Sequence, residues 1–214
     1  MLYNLHTHSA SGKPQVFEIV NRYPSEVINV PYFSTGIHPW HIDVDRVDEH
    51  LTIIEERLQR PNCLALGECG LDKRIDIPFN IQVEVFEKQL LLAKQYQKPV
   101  ILHLVAGFQE LVEIKSRLQM NVPMIVHGFS KNAQVAKQLL DNGFYLSFGK
   151  YLLRNPELSE VFAGVPNNRF FLETDMIEET IQDVYTKAAV ARNMNSEDLE
   201  NIVSTNFKNV FKNG

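Results

Sequence analysis

Short apolar runs alternate with longer amphipathic stretches along most of this chain. The apolar runs are five or six residues long and rich in Val, Ile, Leu and Phe, which is typical of β-strands. We predict eight strands, at residues 2–6, 16–21, 32–37, 63–67, 99–103, 122–127, 144–148 and 169–173. The runs at 63–67, 99–103 and 122–127 are apolar at nearly every position, as expected for strands that are covered on both faces.

Amphipathic helices are predicted between the later strands and after the last one. Apolar residues recur there at spacings of three and four, which places them on one face of a helix. We predict helices at residues 44–58, 78–95, 107–118 and 131–142, and two more along the apolar stripes of 177–191 and 199–210. Asp43 is a candidate N-cap for the first helix, Pro78 begins the second and Gly143 ends the fourth. Asn195 is expected to cap the last helix together with Asp198.

Strands and helices that alternate at these lengths form a parallel sheet, either open or closed. The segment between His8 and Val16 is an exception, because it is too short for a helical crossover between parallel neighbours. Either the strand at 16–21 runs antiparallel or irregularly, or one βα unit has been trimmed. We therefore predict an α/β fold, a (β/α) barrel that is distorted and shortened on its N-terminal side. The sequence has no evident repeat or linker, so a single domain over residues 1–214 is expected.

Composition narrows the possible classes of protein only slightly. The chain has 214 residues, 44% of them hydrophobic and 22% charged, as in ordinary globular proteins. A net charge of -5 argues against a broad basic face for nucleic acid but does not exclude a phosphate neutralised locally by bound cations. With no signal sequence and no long apolar segment, we expect a cytoplasmic protein without a membrane partner. Cys63 and Cys69 are expected to be reduced thiols near one buried strand.

Side chains that commonly bind metals follow several of the predicted strands. His6 and His8 end the first strand, and their spacing places both imidazoles on one side of it, about 7 Å apart. Later strand ends supply Glu68, His103, His127 and Asp175. In a parallel barrel, the carboxyl ends of the strands face the same mouth, where active sites are built. Nitrogen and oxygen ligands without thiolates favour one or two Zn, Mn or Mg ions.

Two ions would need a bridging carboxylate, because paired catalytic metals lie about 3.5–4 Å apart. Glu68 is the best candidate for this bridge, since Gly67 and Gly70 leave the backbone around it uncrowded. It is therefore expected to be a catalytic residue as well as a ligand.

The remaining ligands can be divided between the two ions. In this hypothesis His6 and His8 hold one ion, while His103 and His127 hold the other. Asp175 completes the first ion's ligands and could accept a proton from its water. A metal-bound hydroxide would then attack a phosphoryl or carbonyl group.

Each residue also has an ordinary interpretation. A histidine at a strand end is more often a polar residue satisfied by its neighbours. Glu68 could be a buried ion-pair partner, and Asp175 could cap a helix over 176–191. The coincidence of six such residues with strand ends favours the metal site.

Several motifs, taken in order, resemble the TatD family of metal-dependent hydrolases, within the amidohydrolase-like barrel group. The matching stretches are His6-Thr7-His8, Gly36-Ile37-His38-Pro39, Leu66 to Asp72, Pro99 to His103, His127 to Ser130, Leu146 to Gly149, Leu172 to Asp175 and Thr205 to Phe211. The resemblance covers nearly the whole chain and implies a TIM-type barrel, a divalent-metal hydrolase and the ligand set named above. Members are commonly called deoxyribonucleases, and some relatives are linked to D-aminoacyl-tRNA hydrolysis.

The resemblance also suggests a substrate-binding residue. The histidine of the Gly-x-His-Pro motif, here His38, would lie near the substrate phosphate; alternatively it is a loop histidine before a rigid proline. Trp40 and His41 beside it could stack on a base or sugar, or Trp40 could pack under the loop.

The chain departs from the family pattern in four places. Asn4 stands where an aspartate is usual, so a charge behind the ligands is expected to be missing. Lys73-Arg74 replaces an aromatic pair, and Met176-Ile177 replaces a proline. The stretch between His8 and Gly36 is shortened. Because of these departures, the sequence identifies the metal site more closely than it identifies the substrate.

Three functions remain open from the sequence. The first is a phosphodiesterase acting on DNA, for example a 3′-to-5′ exonuclease. The second is ester or amide cleavage on the same site, including removal of a D-amino acid from tRNA. The third is a barrel that binds a ligand without turnover. No obligate protein partner is indicated.

Overall fold

The computed structural model describes residues 1–211, and its eight strands form one sheet in the order in which they occur along the chain. The strands are β1 Leu2–Thr7, β2 Val16–Asn21, β3 Phe33–Thr35, β4 Cys63–Asp72, β5 Val100–Val105, β6 Met124–Val126, β7 Tyr145–Phe148 and β8 Phe170–Leu172. The helices are α1 Val47–Leu58, α2 Phe79–Gln95, α3 Phe108–Arg117, α4 Ala133–Asp141, α5 Lys150–Arg154, α6 Glu157–Ala163, α7 Ile181–Ala191 and α8 Ser196–Val210. Within residues 1–211, no helix is both long and apolar enough to cross a bilayer, and a cytoplasmic location stays a prediction.

All eight predicted strands are present, and β1 pairs with β2 in parallel. The antiparallel alternative for residues 16–21 was therefore wrong. Residues 8–15 connect the two strands without a helix, and residues 22–32 also lack one. Eight residues span at most about 28 Å, and the return along a six-residue strand needs roughly 17 Å. A loop of this length can therefore make the connection without a helix, which accounts for the shortened N-terminal side.

The predicted helices are also present, although some of them begin at other residues than predicted. Residues 44–46 form a 3₁₀ turn capped by Asp43, and α1 begins only at Val47. The helix expected from 176 begins at Ile181, capped by Thr180, so Asp175 is not its N-cap. Asn195 caps α8 as predicted, accepting a hydrogen bond from the backbone N–H of Asp198. Helices α5 and α6 were not predicted, because they are short and separated by Pro156.

The described part of the chain divides into two compact units. This division does not test the prediction of a single domain, which stays a prediction. One unit consists of Met1–Val20 together with residues 126–211, and the other of Asn21–Ile125. The core of the first unit is aromatic: the rings of Phe148 and Phe170 each lie 4.9 Å from Phe162. These three side chains are fully buried, and burying a phenylalanine contributes about 1.5–3 kcal/mol.

In the second unit, Arg57 of α1 holds the helix-free segment between β2 and β3. Its buried guanidinium donates hydrogen bonds to the carbonyl oxygens of Tyr23, Pro24 and Glu26, at 2.7–2.9 Å. These charged hydrogen bonds replace the packing that a crossover helix would supply.

The two cysteines are free and buried in β4, as predicted. Burial raises the pKa of both thiols, that of Cys63 to about 12. Neither thiol ionises near neutral pH, so they are packing residues rather than ligands or nucleophiles.

Candidate metal centres

Four of the predicted ligands meet in the first unit, where β1 lies beside the end of β8. Asp175 follows β8, and its backbone N–H donates to the carbonyl oxygen of His6, at 2.9 Å. The N–H of His8 donates in turn to the carbonyl oxygen of Asp175, at 3.2 Å. This parallel bridge between Thr7 and Asp175 places the side chains of His6, His8 and Asp175 together. His127, which follows β6, joins them with its ring 4.5 Å from that of His6.

The spacing of these ligand atoms fits a divalent ion. Oδ1 of Asp175 lies 3.6 Å from Nε2 of His6 and 3.5 Å from Nε2 of His8. These distances are longer than good hydrogen bonds. Ligands held at roughly 2.1 Å from a tetrahedral ion are about 3.4 Å apart, close to the observed separations. Ligand atoms of His6, His127 and Asp175 also lie within 4.8 Å of one another.

Glu173 lies behind His127 and was not identified from the sequence. Its carboxylate is 1% exposed; Oε1 lies 3.3 Å from Nδ1 of His127 and accepts a hydrogen bond from the N–H of Gly128, at 2.6 Å. Burial alone would raise the pKa of Glu173, but the neighbouring His127 and His6 lower it overall. A carboxylate on one imidazole nitrogen orients the other nitrogen toward a metal.

Asn4 holds the segment that leads to Asp175. Its amide donates to Oγ1 of Thr174, at 2.8 Å, and its oxygen accepts from the N–H of Thr174, at 3.0 Å. The same amide nitrogen lies 3.5 Å from Oε1 of Glu18. The residue that departs from the family pattern therefore fixes the backbone next to a ligand.

A second group lies in the other unit, around Glu68. Oε1 of Glu68 lies 3.0 Å from Nδ1 of His103 and 3.1 Å from Nε2 of His38. Ligand atoms of these three residues lie within 4.8 Å of one another. Glycine makes this approach possible: a Cβ at Gly70, whose φ is +150°, would collide with the carbonyl oxygen of His103. The donor set suits a divalent ion, with imidazole and carboxylate ligands.

The hydrogen bonds of His38 define its protonation. Its Nδ1 accepts a hydrogen bond from the backbone N–H of Trp40, at 3.0 Å, so Nδ1 carries no proton. In the neutral ring the proton is then on Nε2, which donates to Glu68. Burial lowers the pKa of His38, in keeping with a neutral ring. Both nitrogens are thus engaged, and His38 is better suited to orient Glu68 than to bind a metal. The expected contact with a substrate phosphate stays a prediction.

Asp72 completes the second group. Its Oδ2 lies 3.3 Å from Nε2 of His103 and accepts a 2.8 Å hydrogen bond from the indole N–H of Trp40. Burial would raise the pKa of Asp72, but the hydrogen bonds from Trp40, Arg74 and His103 lower it overall. Asp72 appeared in the sequence only as part of a family motif. Trp40 is 56% exposed, so the interpretation that it packs under the loop was wrong.

A cleft of about 440 Å³ opens beside His8 and Asp175 in the first unit. Its wall includes the carboxylates of Glu18, Glu178 and Glu179, together with Lys13, Ser9, Ser11 and Thr180. The cleft gives a small molecule direct access to Asp175.

Within each unit, the structure brings several of the predicted ligands together. His6, His8, His127 and Asp175 lie in the first, and Glu68 and His103 lie in the second with His38. The structure places the ring of His127 beside that of His6, and the pairing of His127 with His103 on one ion stays a prediction. The number of ions and the bridging role of Glu68 stay predictions.

Known proteins resemble this chain over most of its length. The family described as TatD related DNase matches residues 2–212. YabD of Bacillus subtilis, described as an uncharacterized metal-dependent hydrolase, is 32% identical over 199 residues, which are 85% of this chain and 77% of YabD. A 3'-5' ssDNA/RNA exonuclease, TatD of a Rahnella strain, is 29% identical over 170 residues, 75% of this chain and 62% of that protein.

A crystal structure also resembles this one. YjjV of Escherichia coli, a TatD homolog, superposes with a TM-score of 0.82 at 23% identity, covering 99% of this chain and 98% of YjjV. This likeness confirms the predicted fold class, a TIM-type (β/α) barrel.

Proposed function

Because this chain belongs to the TatD family of metal-dependent hydrolases, we propose that it cleaves phosphodiester bonds with the help of divalent metal ions, as a deoxyribonuclease. The observation that carries the proposal is the position of Oδ1 of Asp175, 3.5–3.6 Å from Nε2 of both His6 and His8. The Rahnella relative is named as an exonuclease of single-stranded DNA and RNA, which supports a nucleic acid substrate.

The side chains of the first group have distinct proposed roles. His6, His8, His127 and Asp175 would hold a divalent ion, Zn, Mn or Mg. Such an ion would acidify a water molecule and neutralise charge on the phosphoryl oxygens. The Asp175 carboxylate, which is about a third exposed, can take up the proton that the attacking water loses. Glu173 holds the ring of His127 in the orientation that ligation needs.

The second group would hold an ion or orient the substrate through Glu68 and His103. We propose that Glu68 is the second catalytic carboxylate, with His38 donating to Oε1 and restricting its rotation. Bound cations would offset the net charge of -5, so a polyanionic substrate can approach without a broad basic surface.

Metal content and hydrolysis, measured together, test the proposal. The purified protein would be analysed for bound metal and assayed on single-stranded DNA, bis(p-nitrophenyl) phosphate and a D-aminoacyl-tRNA, each with added Mg, Mn or Zn. We expect metal-dependent cleavage of the first two. Asp175→Asn and Glu68→Gln should each lose more activity than the roughly 10- to 100-fold that loss of an outer-shell partner costs.

Glu197→Gln is the matched control, because Glu197 is an exposed carboxylate in the first turn of α8. It should keep full activity. Equal activity of Asp175→Asn and the parent, with the variant folded, would contradict the proposal.

Ester or amide cleavage, including removal of a D-amino acid from tRNA, is a second candidate. Glu18 and Glu178, which line the cleft beside Asp175, favour it, because their negative charges would attract a substrate that carries an amino group. The third acidic residue of the wall, Glu179, is paired with Arg154. Cleavage of the D-aminoacyl-tRNA alone would identify this activity. A protein without bound metal that cleaves none of the three substrates would be a ligand-binding barrel.

A further inference from the structure

Trp40 is the single tryptophan of this chain, and 56% of it is exposed. Tryptophans are highly buried on average, so this degree of exposure is unusual. The residue lies in the 3₁₀ turn Pro39–His41, which directly follows His38. An exposed indole next to a candidate metal group can serve as a contact surface for a ligand.

Hydrogen bonds hold both the side chain and the backbone of Trp40. Its indole N–H donates to Oδ2 of Asp72, at 2.8 Å, and its backbone N–H donates to Nδ1 of His38, at 3.0 Å. Pro39 restricts the backbone immediately before it. The only polar atom of the indole is therefore already satisfied. A ligand that meets this ring meets apolar surface whose orientation is set in advance, which lowers the entropy cost of binding.

The ring also lies beside the second group. Its centroid is 5.6 Å from that of His103 and 5.1 Å from that of His38, with interplanar angles of 74° and 82°. A ligand that stacks on the indole would therefore lie next to the second group. Lys73, which stands in place of an aromatic residue of the family pattern, is paired with Glu110 and lies over the ring of Phe79. The charge of Lys73 is therefore balanced within the protein.

We propose that Trp40 is a platform on which a base of a single-stranded nucleic acid stacks while the adjacent phosphodiester is cleaved. This inference rests on the proposed function and names its substrate class. Every base offers a π-face to an aromatic ring, so stacking tolerates different sequences. In a duplex, the faces of a base are covered by its neighbours, so the platform selects an unpaired strand or a frayed end.

The fluorescence of Trp40 tests this inference directly, because no other tryptophan contributes. The Asp175→Asn protein, in Mg²⁺, would be titrated with a thymidine tetranucleotide and with an abasic strand of the same length and phosphate count. We expect the base-bearing strand to quench the emission and the abasic strand to leave it unchanged. The parent protein in chelator would be titrated in the same way.

Kinetics provide a second readout. On single-stranded DNA, Trp40→Ala should raise KM by about 5- to 100-fold, with kcat changed by less than about twofold, as expected for the loss of one base-stacking contact. Trp40→Phe should retain most of the affinity, since it keeps an aromatic face. Tyr96→Ala is the control: Tyr96 is an aromatic residue at the end of α2 whose hydroxyl bonds Glu55, and KM should not change.

Two results would overturn the inference. One is equal quenching by the abasic strand, and the other is an unchanged KM for Trp40→Ala while the parent cleaves single-stranded DNA. If the parent cleaves no phosphodiester, the proposed function fails, and the fluorescence titration still decides the stacking. Quenching by the base-bearing strand alone supports it, and no quenching by either strand overturns it.

Discussion

Asn4 is an amide at a position where the family resemblance predicts an aspartate, and its contacts show what the amide does. The side chain donates to and accepts from Thr174 at the same time. Its nitrogen also faces Oε1 of Glu18, at 3.5 Å. An aspartate would place a second negative charge against Glu18, whereas the amide presents a donor to it. The amide is therefore matched to Glu18, and the missing charge need not weaken the metal site.

Asn4→Asp should consequently destabilise the protein at neutral pH. The new carboxylate, buried beside Glu18, would have a raised pKa, so its ionised form opposes folding. We expect a loss of about 1–3 kcal/mol in the free energy of unfolding at pH 7. The loss should disappear below about pH 3, where the carboxyl is protonated in both states. Urea denaturation of the metal-free protein at both pH values measures it. Adding Glu18→Gln should restore most of the lost stability; an additive double variant would contradict the account.

Glu173 should stabilise the folded protein at neutral pH and lose this effect in acid, whereas Asn4→Asp destabilises it at neutral pH. Its pKa in the folded protein is lowered overall, despite full burial, because His127 and His6 are close. A lowered pKa adds stability above the unfolded value of about 4.3, and this contribution is lost as the pH falls through the folded value. In the metal-free protein, Glu173→Gln should therefore flatten the fall in unfolding free energy on the acid side. Glu197→Gln, an exposed control, should follow the parent curve. Parallel curves for Glu173→Gln and the parent would contradict the prediction.

Position at a strand end was sufficient to identify the six ligand candidates from the sequence, because alternation of side chains and strand direction are local properties. It was not sufficient to identify Glu173 or Asp72. Glu173 is two residues before Asp175 and was taken as part of β8. Asp72 lies five residues beyond the predicted end of its strand. The signal in both cases was an acidic residue adjacent to an apolar run.

At the scale of elements, β4 shows why the sequence rules failed there. The strand was predicted to end at Gly67, and glycine inside a strand usually weakens it. The structure continues it to Asp72 with every position buried. The glycines permit β4 to approach β5, where Gly70 is opposite His103. A close contact between strands, invisible in a single sequence, decides the length of this element.

Helix α7 depends on a cap that the sequence analysis placed five residues too early. Thr180 accepts a hydrogen bond from the N–H of Asp183, and Asp183 accepts from the N–H of Thr180. This reciprocal pair is a capping box. The segment before it cannot be helical at Asp175, whose φ of +56° is left-handed and whose N–H is bonded to β1.

Thr180→Ala should therefore lower the free energy of unfolding by about 0.5–2 kcal/mol, because the first turn of α7 loses a hydrogen-bond acceptor. Thermal and urea denaturation measure the change. Thr180→Ser keeps the hydroxyl and should lose much less. If the serine and alanine variants were equally destabilised, packing of the threonine methyl group rather than capping would be responsible.

For the molecule as a whole, the alternation of strands and helices predicted the fold class. The spacing of apolar residues in each segment shows which face of that strand or helix is buried, and the order of the elements then indicates a parallel sheet. The arrangement of ligands into groups could not be predicted in the same way. It depends on which strand end lies beside which, as with Asp175 and β1, where the contact joins residues 168 positions apart.

Metal binding should raise the stability of the whole protein, because the ligands of the first group come together only when the chain folds. An ion that binds the folded state alone adds about 2.7 kcal/mol at a concentration 100 times its Kd. We expect Zn, Mn or Mg to raise the melting temperature of the parent, and a chelator to reverse the increase. Asp175→Asn removes the carboxylate that lies 3.5–3.6 Å from both His6 and His8, so it should lose most of this increment. Glu197→Gln should keep it. Equal stabilisation of Asp175→Asn and the parent would mean that the ion binds elsewhere, since a ligand can stabilise a protein only through the site it occupies.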